Sequence, residues 1–233
     1  MRHPTHFDSG VVVVFGGSFD PITYTHIQVA IEALNFGFGD QVWIVPCGMR
    51  PDKPTRASPE DRLKMVCLAL DNMVPPDQSI FVETTEVDEG RYFPTRELMC
   101  LYRSKYPNLT FKLLMGDDLV SGLHTWDDFP QLITENRFII YRRLGTTESP
   151  RHRGGDINID SDSVRLFDKD RTLIKVERLC DSDGFHPVVS NVSSTEVRKR
   201  LALRGPNAVF GLTPLPVVEY LIKNRLYQVA DVS

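Results

Sequence analysis

The chain has 233 residues, which is enough to form one well-buried core without requiring a second domain. Its 27 Lys and Arg residues and 31 Asp and Glu residues give a formal net charge of −4 at pH 7. This balance excludes the overall basic footprint of a nucleic-acid-binding protein, and no apolar run is long enough to span a bilayer. We therefore expect neither nucleic acid nor membrane as a partner.

The four cysteines (Cys47, Cys67, Cys100 and Cys180) are widely spaced and form no CxxC pair. Three of them lie among apolar residues, which favours buried free thiols over a zinc site or a disulfide framework. The N-terminus contains no apolar signal core. Together these features predict a cytoplasmic protein, and they are also compatible with a nuclear pool.

The apolar pattern alternates between short β-rich runs and longer helical stretches. A buried strand is predicted at 11–15, a helix at 24–38 and a second strand at 42–45. Ser58, followed by a proline and two acidic residues, marks the start of the next helix. The remaining predicted elements are a strand at 80–82, a helix at 95–104, a strand at 110–115, a helix around 126–134, strands at 137–141 and 172–179, and helices at 194–203 and 216–224.

This alternation predicts an α/β fold, a Rossmann-like doubly wound parallel sheet with a C-terminal helical segment. We expect a disordered extension at 1–10 and a single domain at 11–230. Residues 145–163 are polar and lack periodicity, so we interpret them as a mobile insertion, with a substrate-covering loop as the alternative. Ligands of such sheets bind beyond the carboxyl ends of the strands, which points to the end of the first strand.

The first strand leads into two glycines, Gly16 and Gly17, and then into a helix that carries His26 in its first turn. Glycines allow a phosphate to approach the backbone closely, and a helix N-terminus attracts anions. His26 can donate a hydrogen bond to phosphate oxygens. The alternative is a tight turn with Thr23 as helix cap and a solvated histidine.

A second group of candidate residues lies near the C-terminus, in the segment 192–200. Ser193 or Ser194 can cap the helix that begins there, and the amides at the cap can hold an anion. Arg198, one turn into the helix, can bind polyphosphate oxygens with its planar guanidinium. The alternative is a capped basic helix on the surface.

Together the two segments resemble the nucleotidyltransferases that carry an (H/T)xGH signature near the N-terminus and an SSTxxR signature near the C-terminus. More closely, the chain is similar to the nicotinate and nicotinamide mononucleotide adenylyltransferases. The matching stretches are GGSFDP at 16–21, TYTH at 23–26, the loop 46–54, GDDL at 116–119 with HTW at 124–126, RR at 142–143, VSSTEVR at 192–198 and the closing helix at 214–222. The sequence departs from the family pattern at Thr25, where a glycine is usual, and at Glu97, where a threonine is usual.

The resemblance implies a binding or catalytic role for individual residues of these stretches. The ATP-binding residues would be Gly16, Gly17, Ser18, Phe19, Thr23, His26, Asp118, Ser193, Ser194, Thr195 and Arg198. The mononucleotide-binding residues would be Ser18, Phe19, Lys53, Trp126 and Arg142. Of these, His26, Thr23, Arg198 and Lys53 would act in catalysis.

Four of these assignments have ordinary structural alternatives: Trp126 as core packing, Lys53 as a solvated loop residue, Asp118 as a helix cap and Arg142 as a cap of the sheet edge. No protein metal site is predicted, because the phosphates would hold Mg²⁺.

The activity implied is the adenylylation of nicotinamide or nicotinate mononucleotide by ATP and Mg²⁺, which produces the dinucleotide and pyrophosphate. The alternatives are a phosphopantetheine or cytidylyl transferase, and a nucleotide-binding sensor that has the fold without turnover. The partners expected are therefore ATP and the mononucleotide. Sequence leaves open the choice between acid and amide and the oligomeric state, a homo-oligomer included.

Overall fold

The computed structural model describes residues 3–4, 9–51, 55–141 and 188–227, together with the backbone of 157–160, 163–167, 173–174 and 176–178. Within these residues the strands are β1 (Gly10–Gly17), β2 (Gln41–Pro46), β3 (Ile80–Val82), β4 (Leu109–Gly116), β5 (Arg137–Tyr141), β6 (Ile157–Asp160), β7 (Ser163–Phe167), β8 (Leu173–Ile174) and β9 (Val176–Arg178). The helices are α1 (Tyr24–Asn35), α2 (Pro59–Met73), α3 (Thr85–Asp88), α4 (Thr95–Lys105), α5 (Phe129–Glu135), α6 (Ser194–Arg204) and α7 (Leu215–Lys223). Two 3₁₀ helices lie at Asp117–Thr125 and Pro206–Val209.

Six strands form one sheet in the order β3-β2-β1-β4-β5-β9, and every neighbouring pair is parallel. The chain moves from β1 outward to β2 and β3, then returns to the other side of β1 with β4 and β5. The strand order therefore reverses between β1 and β4. The prediction of a doubly wound, Rossmann-like parallel sheet is confirmed, and β6, β7 and β8 form a separate antiparallel sheet.

Alternate residues of the central strands belong to two apolar cores, one on each face of the sheet. Val13 and Ile44 pack on the face that is covered by α1, α2, α6 and α7. Val12 and Trp43 pack on the opposite face, under α4, α5 and the 3₁₀ helix at Asp117–Thr125. Because both faces of the sheet are covered, odd- and even-numbered residues of a central strand are both apolar, which explains the continuous valine run in β1.

The helix boundaries differ from the predictions where backbone conformation interrupts the apolar pattern. α1 ends at Asn35 rather than at residue 38, and Gly37 has a φ of +69°. The helix predicted around 126–134 begins only at Phe129, because Asp128 adopts a left-handed φ of +52°. Trp126 lies between that helix and the preceding 3₁₀ helix, and α3 was not predicted.

Two predictions in the segment 145–179 need correction. The predicted strand at 172–179 is two strands, β8 and β9, which belong to different sheets. Part of the predicted irregular insertion at 145–163 is β6, paired antiparallel with β7. Residues 142–156 lie outside the described residues, as do 1–2 and 5–8 of the predicted N-terminal extension. The predicted C-terminal helical segment is present as α6 and α7.

No helix among the described residues is both long enough and apolar enough to cross a membrane.

Candidate active site

A pocket lies at the carboxyl edge of the sheet where the strand order reverses, between β1 and β4. Its volume is about 280 Å³. Such a reversal opens a crevice, since the connections from the two neighbouring strands leave toward opposite faces. The lining residues are Phe15, Gly16, Gly17, Ser18, Phe19, Asp20, His26, Thr55, Met115, Gly116, Asp118, Leu119, Tyr141, Ser193, Ser194, Thr195 and Arg198.

Gly17 and Phe19 shape the loop that leaves β1. Phe19 has a φ of +47°, which turns the chain sharply, and its side chain is buried. A β-carbon on residue 17 would lie 3.0 Å from the Phe19 ring, so a side chain there would press against the ring in its observed position. The ring packs edge-on against Phe15 and against the imidazole of His26, with centroids 5.6 and 5.2 Å apart respectively.

His26 is held in one tautomer by the residue that caps its helix. The backbone N–H of Thr23 donates to His26 Nδ1 at 3.0 Å, and the Thr23 hydroxyl lies 2.9 Å from the same atom. An Nδ1 that accepts an N–H cannot also carry the proton of a neutral imidazole. The proton of the neutral ring is therefore on Nε2, which can act as a donor in the pocket that His26 lines.

The N-terminus of α6 lies against the same loop. Ser193 caps the helix by accepting the Glu196 N–H at 3.1 Å, and Ser194 Oγ donates to the Pro21 carbonyl at 2.7 Å. Arg198 Nη1 donates to the Asp20 carbonyl at 2.6 Å. The structure thus brings the two sequence-distant groups of candidate residues together around one pocket.

Asp20 joins the loop to two other parts of the chain, a role that the sequence analysis missed. Its carboxylate is 5% exposed and accepts the N–H groups of Arg56 at 3.0 Å and Ala57 at 3.1 Å. It also accepts the Tyr227 hydroxyl at 2.6 Å. Burial, together with this hydrogen bond to Asp20, raises the pKa of Tyr227.

Arg62 is a second residue that the sequence analysis missed. Its side chain is 0% exposed, although it follows two acidic residues in a stretch that is typical of a solvated helix face. The guanidinium donates to the carbonyl of Ser18 at 2.6 Å and to those of Cys47 at 2.6 Å and Gly48 at 3.0 Å. Arg62 therefore ties the loop after β1 to the loop after β2.

Glu86 holds the loop after β2 from its other side. Its buried carboxylate accepts the Gly48 N–H at 2.9 Å and the Phe93 N–H at 3.4 Å. Burial raises the pKa of Glu86 to about 7, although these two hydrogen bonds lower it. A β-carbon on residue 48 would collide with the Arg91 carbonyl, so glycine is required where these two segments meet.

The predicted ATP-binding residues line the pocket with the exception of Thr23, which is buried behind it and contacts His26. Trp126 is not among the lining residues, and it packs, partly buried, against the core beneath α4 and α5. Lys53 and Arg142 lie outside the described residues. The structure adds Tyr141 at the end of β5 and Met115 at the end of β4, two apolar-strand positions with no distinguishing signal in sequence.

A profile of the cytidylyltransferase-like family matches residues 14–200. The chain belongs to the cytidylyltransferase-like family. The matched range includes both signature segments, so the predicted family resemblance is confirmed. The chain is therefore a nucleotidyltransferase.

Several relatives of this chain have descriptions that are more specific than the family's. A "probable nicotinate-nucleotide adenylyltransferase" of Neisseria meningitidis serogroup C is 30% identical over 221 residues, covering 92% of this chain and 97% of the relative. One of Idiomarina loihiensis with the same description is 28% identical, covering 92% and 98%. Nicotinic acid mononucleotide adenylyltransferase of Plasmodium falciparum, solved in complex with NaAD, superposes with a TM-score of 0.72 at 26% identity, covering 93% of this chain and 97% of that one.

The contact between Tyr227 and Asp20 predicts a measurable contribution to stability. We expect Tyr227→Phe to lower the free energy of unfolding by about 2 kcal/mol, the usual loss for a buried hydrogen bond to a charged acceptor. Tyr220→Phe is the matched control, since its hydroxyl donates to the half-buried Asp61 at 2.7 Å and should contribute less. Urea unfolding of the wild-type protein and the two variants measures these losses. Equal losses in the two variants would mean that the hydrogen bond to the buried Asp20 carboxylate contributes no more to stability than the one to Asp61.

Proposed function

We propose that the chain transfers the adenylyl group of ATP to nicotinate mononucleotide, forming nicotinate adenine dinucleotide and pyrophosphate. The observation that carries this proposal is the convergence of His26 and Arg198, from two helix N-termini, on one pocket at the reversal of the sheet. The adenylyltransferase relatives, which align over nearly the whole chain, support it. They also favour this activity over a phosphopantetheine or cytidylyl transferase.

The reaction is an in-line displacement at phosphorus. A phosphate oxygen of the mononucleotide forms a bond to the α-phosphorus of ATP while the bond to the bridging oxygen of pyrophosphate breaks, and that oxygen takes the electron pair. The attacking phosphate is already anionic at neutral pH, so no general base is required. Catalysis then depends on positioning and on stabilising the charge that develops on the phosphates.

The described residues of the pocket are suited to this task. His26 Nε2–H and the amides at the N-terminus of α6 are donors for phosphate oxygens. Arg198 contributes a fixed positive charge beside Ser194 and Thr195, where we assign the leaving pyrophosphate. The backbone of Gly16, Gly17 and Phe19 is assigned to the nucleotide phosphates, and Asp118 to a ribose hydroxyl.

We assign the mononucleotide to the side of the pocket that adjoins Ser18 and the loop after β2. Ser18 lines the pocket, and its carbonyl is held by Arg62. Lys53 and Arg142 are proposed to neutralise the mononucleotide phosphate. Trp126 is proposed to stack on the pyridine ring, which requires its partly exposed ring to contact the ligand.

Magnesium is proposed to enter with the ATP phosphates. Among the residues that the structure describes, no three His, Cys, Asp or Glu side chains gather into a metal-binding cluster. The pocket carboxylates are those of Asp118 and of Asp20, and Asp20 already accepts three hydrogen bonds. These two carboxylates fit an ion that is held mainly by phosphate oxygens. Asp118 is the pocket residue that could add an oxygen ligand. The ion would neutralise phosphate charge.

A catalytically silent sensor is the second candidate, and the sequence feature in its favour is Thr25, which stands where the family signature has a glycine. The Thr25 side chain is buried outside the pocket, so it does not crowd the phosphates.

We also propose a cytoplasmic location, because Cys47, Cys67 and Cys100 are free thiols.

The deciding experiment is a turnover assay with ATP, Mg²⁺ and either mononucleotide, followed by chromatography of the dinucleotide. We expect product from both acceptors, with kcat/KM for nicotinate mononucleotide higher by about tenfold or more, a ratio within reach of a polar binding site. A preference for the amide would overturn the acceptor assignment. ATP binding without product from either would favour the sensor.

Loss of the imidazole donor should reduce turnover strongly. We expect His26→Ala to lower kcat by about 10²-fold, as when one preorganised donor to a developing charge is removed. His3→Ala is the control, since His3 is exposed and does not line the pocket. Circular dichroism should show that both variants are folded. Turnover of His26→Ala near the wild-type value would remove His26 from the proposed machinery.

Two arginines on α6 offer a matched pair for the charge at the pocket. Arg198→Met should lower kcat/KM for ATP by about 10²-fold, because a fixed charge beside the phosphates is lost. Arg200 is two positions along the same helix, exposed and paired with Glu196 at 2.6 Å. Arg200→Met should therefore leave kcat/KM unchanged, and equal losses in both variants would mean that Arg198 acts only through the surface charge of α6.

A further inference from the structure

Two side chains of α1 and the side chain of its capping residue, Thr23, bind the backbone of the segment that precedes α6. The Gln28 side-chain oxygen accepts the Ser190 N–H at 2.8 Å. The Thr25 hydroxyl contacts the Ser190 carbonyl at 3.1 Å and accepts the Val192 N–H at 2.9 Å. The Thr23 hydroxyl lies 3.3 Å from the Val192 carbonyl. Side chains of α1 and its cap thus contact both the amide and the carbonyl of Ser190 and of Val192, an arrangement we term the α1 clasp.

Thr25 makes the largest number of these contacts. Its hydroxyl donates to the Ser190 carbonyl, accepts the Val192 N–H and lies 2.8 Å from the Ser190 hydroxyl. A hydroxyl has one hydrogen to donate and two positions that accept, so these contacts use its full capacity. Threonine in a helix often bonds to a carbonyl of its own helix. Here, 1% exposed, it binds a distant segment instead.

The clasp lies between the two helix ends that line the pocket. The residue after Thr25 is His26, and the residue after Val192 is Ser193, the cap of α6. The α6 residues that reach the pocket, Arg198 included, follow within two turns. A shift of the 190–192 segment along α1 would therefore move Arg198 relative to His26.

We propose that Thr25 is a positioning residue, which sets the distance between His26 and Arg198 and thereby the affinity of the pocket for the ATP triphosphate. The inference rests on the proposed function, and it assigns a use to the residue that departs from the family signature. A glycine at this position has no hydroxyl and could not form these three contacts.

The test compares Thr25→Val, which keeps the shape of the side chain without its hydroxyl, with Thr25→Ser, which keeps the hydroxyl. Calorimetry with α,β-methylene-ATP and Mg²⁺ gives a dissociation constant that does not depend on turnover. We expect Thr25→Val to raise this constant about tenfold, equivalent to about 1.4 kcal/mol, and to raise KM for ATP to match. Thr25→Ser should restore both values, with KM for the mononucleotide unchanged throughout.

Controls separate positioning from general stability. Thr84→Val removes another buried hydroxyl, which donates to Asp88 at 2.6 Å outside the pocket, and should lower Tm without weakening analogue binding. If Thr25→Val does not fold, Gln28→Ala opens the same clasp at Ser190 and should weaken binding by a smaller factor.

Two outcomes would overturn the proposal: an unchanged dissociation constant in folded Thr25→Val, or failure of Thr25→Ser to restore it. Analogue binding by a wild-type protein that makes no dinucleotide would reject the proposed function instead, and would leave the test of Thr25 valid.

Discussion

The carboxylate of Asp20 is buried beneath the pocket and accepts hydrogen bonds from the amides of Arg56 and Ala57 and from the hydroxyl of Tyr227. A buried carboxylate costs several kcal/mol unless its lone pairs are occupied, so each of these donors contributes to the stability of the fold. The donors come from the loop before α2 and from the residues after α7, while Arg198 binds the Asp20 carbonyl from α6. Through its side chain and its carbonyl, Asp20 therefore connects the loop after β1 to three distant segments.

The electrostatics of the pocket follow from this convergence. The His26 side chain and the N-terminus of α6 line it, and Arg198 adds a positive charge 3.8 Å from the Asp20 carboxylate. Arg62 lies behind the loop, completely buried, and among the described residues it pairs with carbonyl groups and not with a carboxylate. Asp20 and Asp118 also line the pocket and oppose these positive charges. The physical basis for assigning a triphosphate is therefore the set of donors at the pocket, which are His26, Arg198 and the amides of α6, and not the net charge.

Local pattern was sufficient for strands β1 to β5 and for most of the helices. The continuous apolar run of β1, the proline after Ser58 and the alternation of elements each reflect a local rule that the tertiary structure did not override. The pattern was misleading at 126–134, where Asp128 takes a left-handed conformation that no periodicity reveals. It was also misleading at 172–179, where one apolar stretch supplies two sheets. In both cases the conformation depends on partners elsewhere in the chain.

By itself the sequence determined the fold class and the two signature segments, because strand and helix periodicity, the glycines after β1 and the serine cap of α6 act over a few residues. Only the tertiary structure decided the partners of Asp20, Arg62 and Thr25. Asp20 could have been a turn residue, Arg62 a solvated helix residue and Thr25 a hydroxyl crowding the phosphates. Their burial and their hydrogen bonds are set by segments far away in sequence, such as Tyr227 and Val192. The spacing of residues in the sequence does not predict such contacts, since they form only when the fold brings the carboxyl edge of the sheet and the C-terminal helices together.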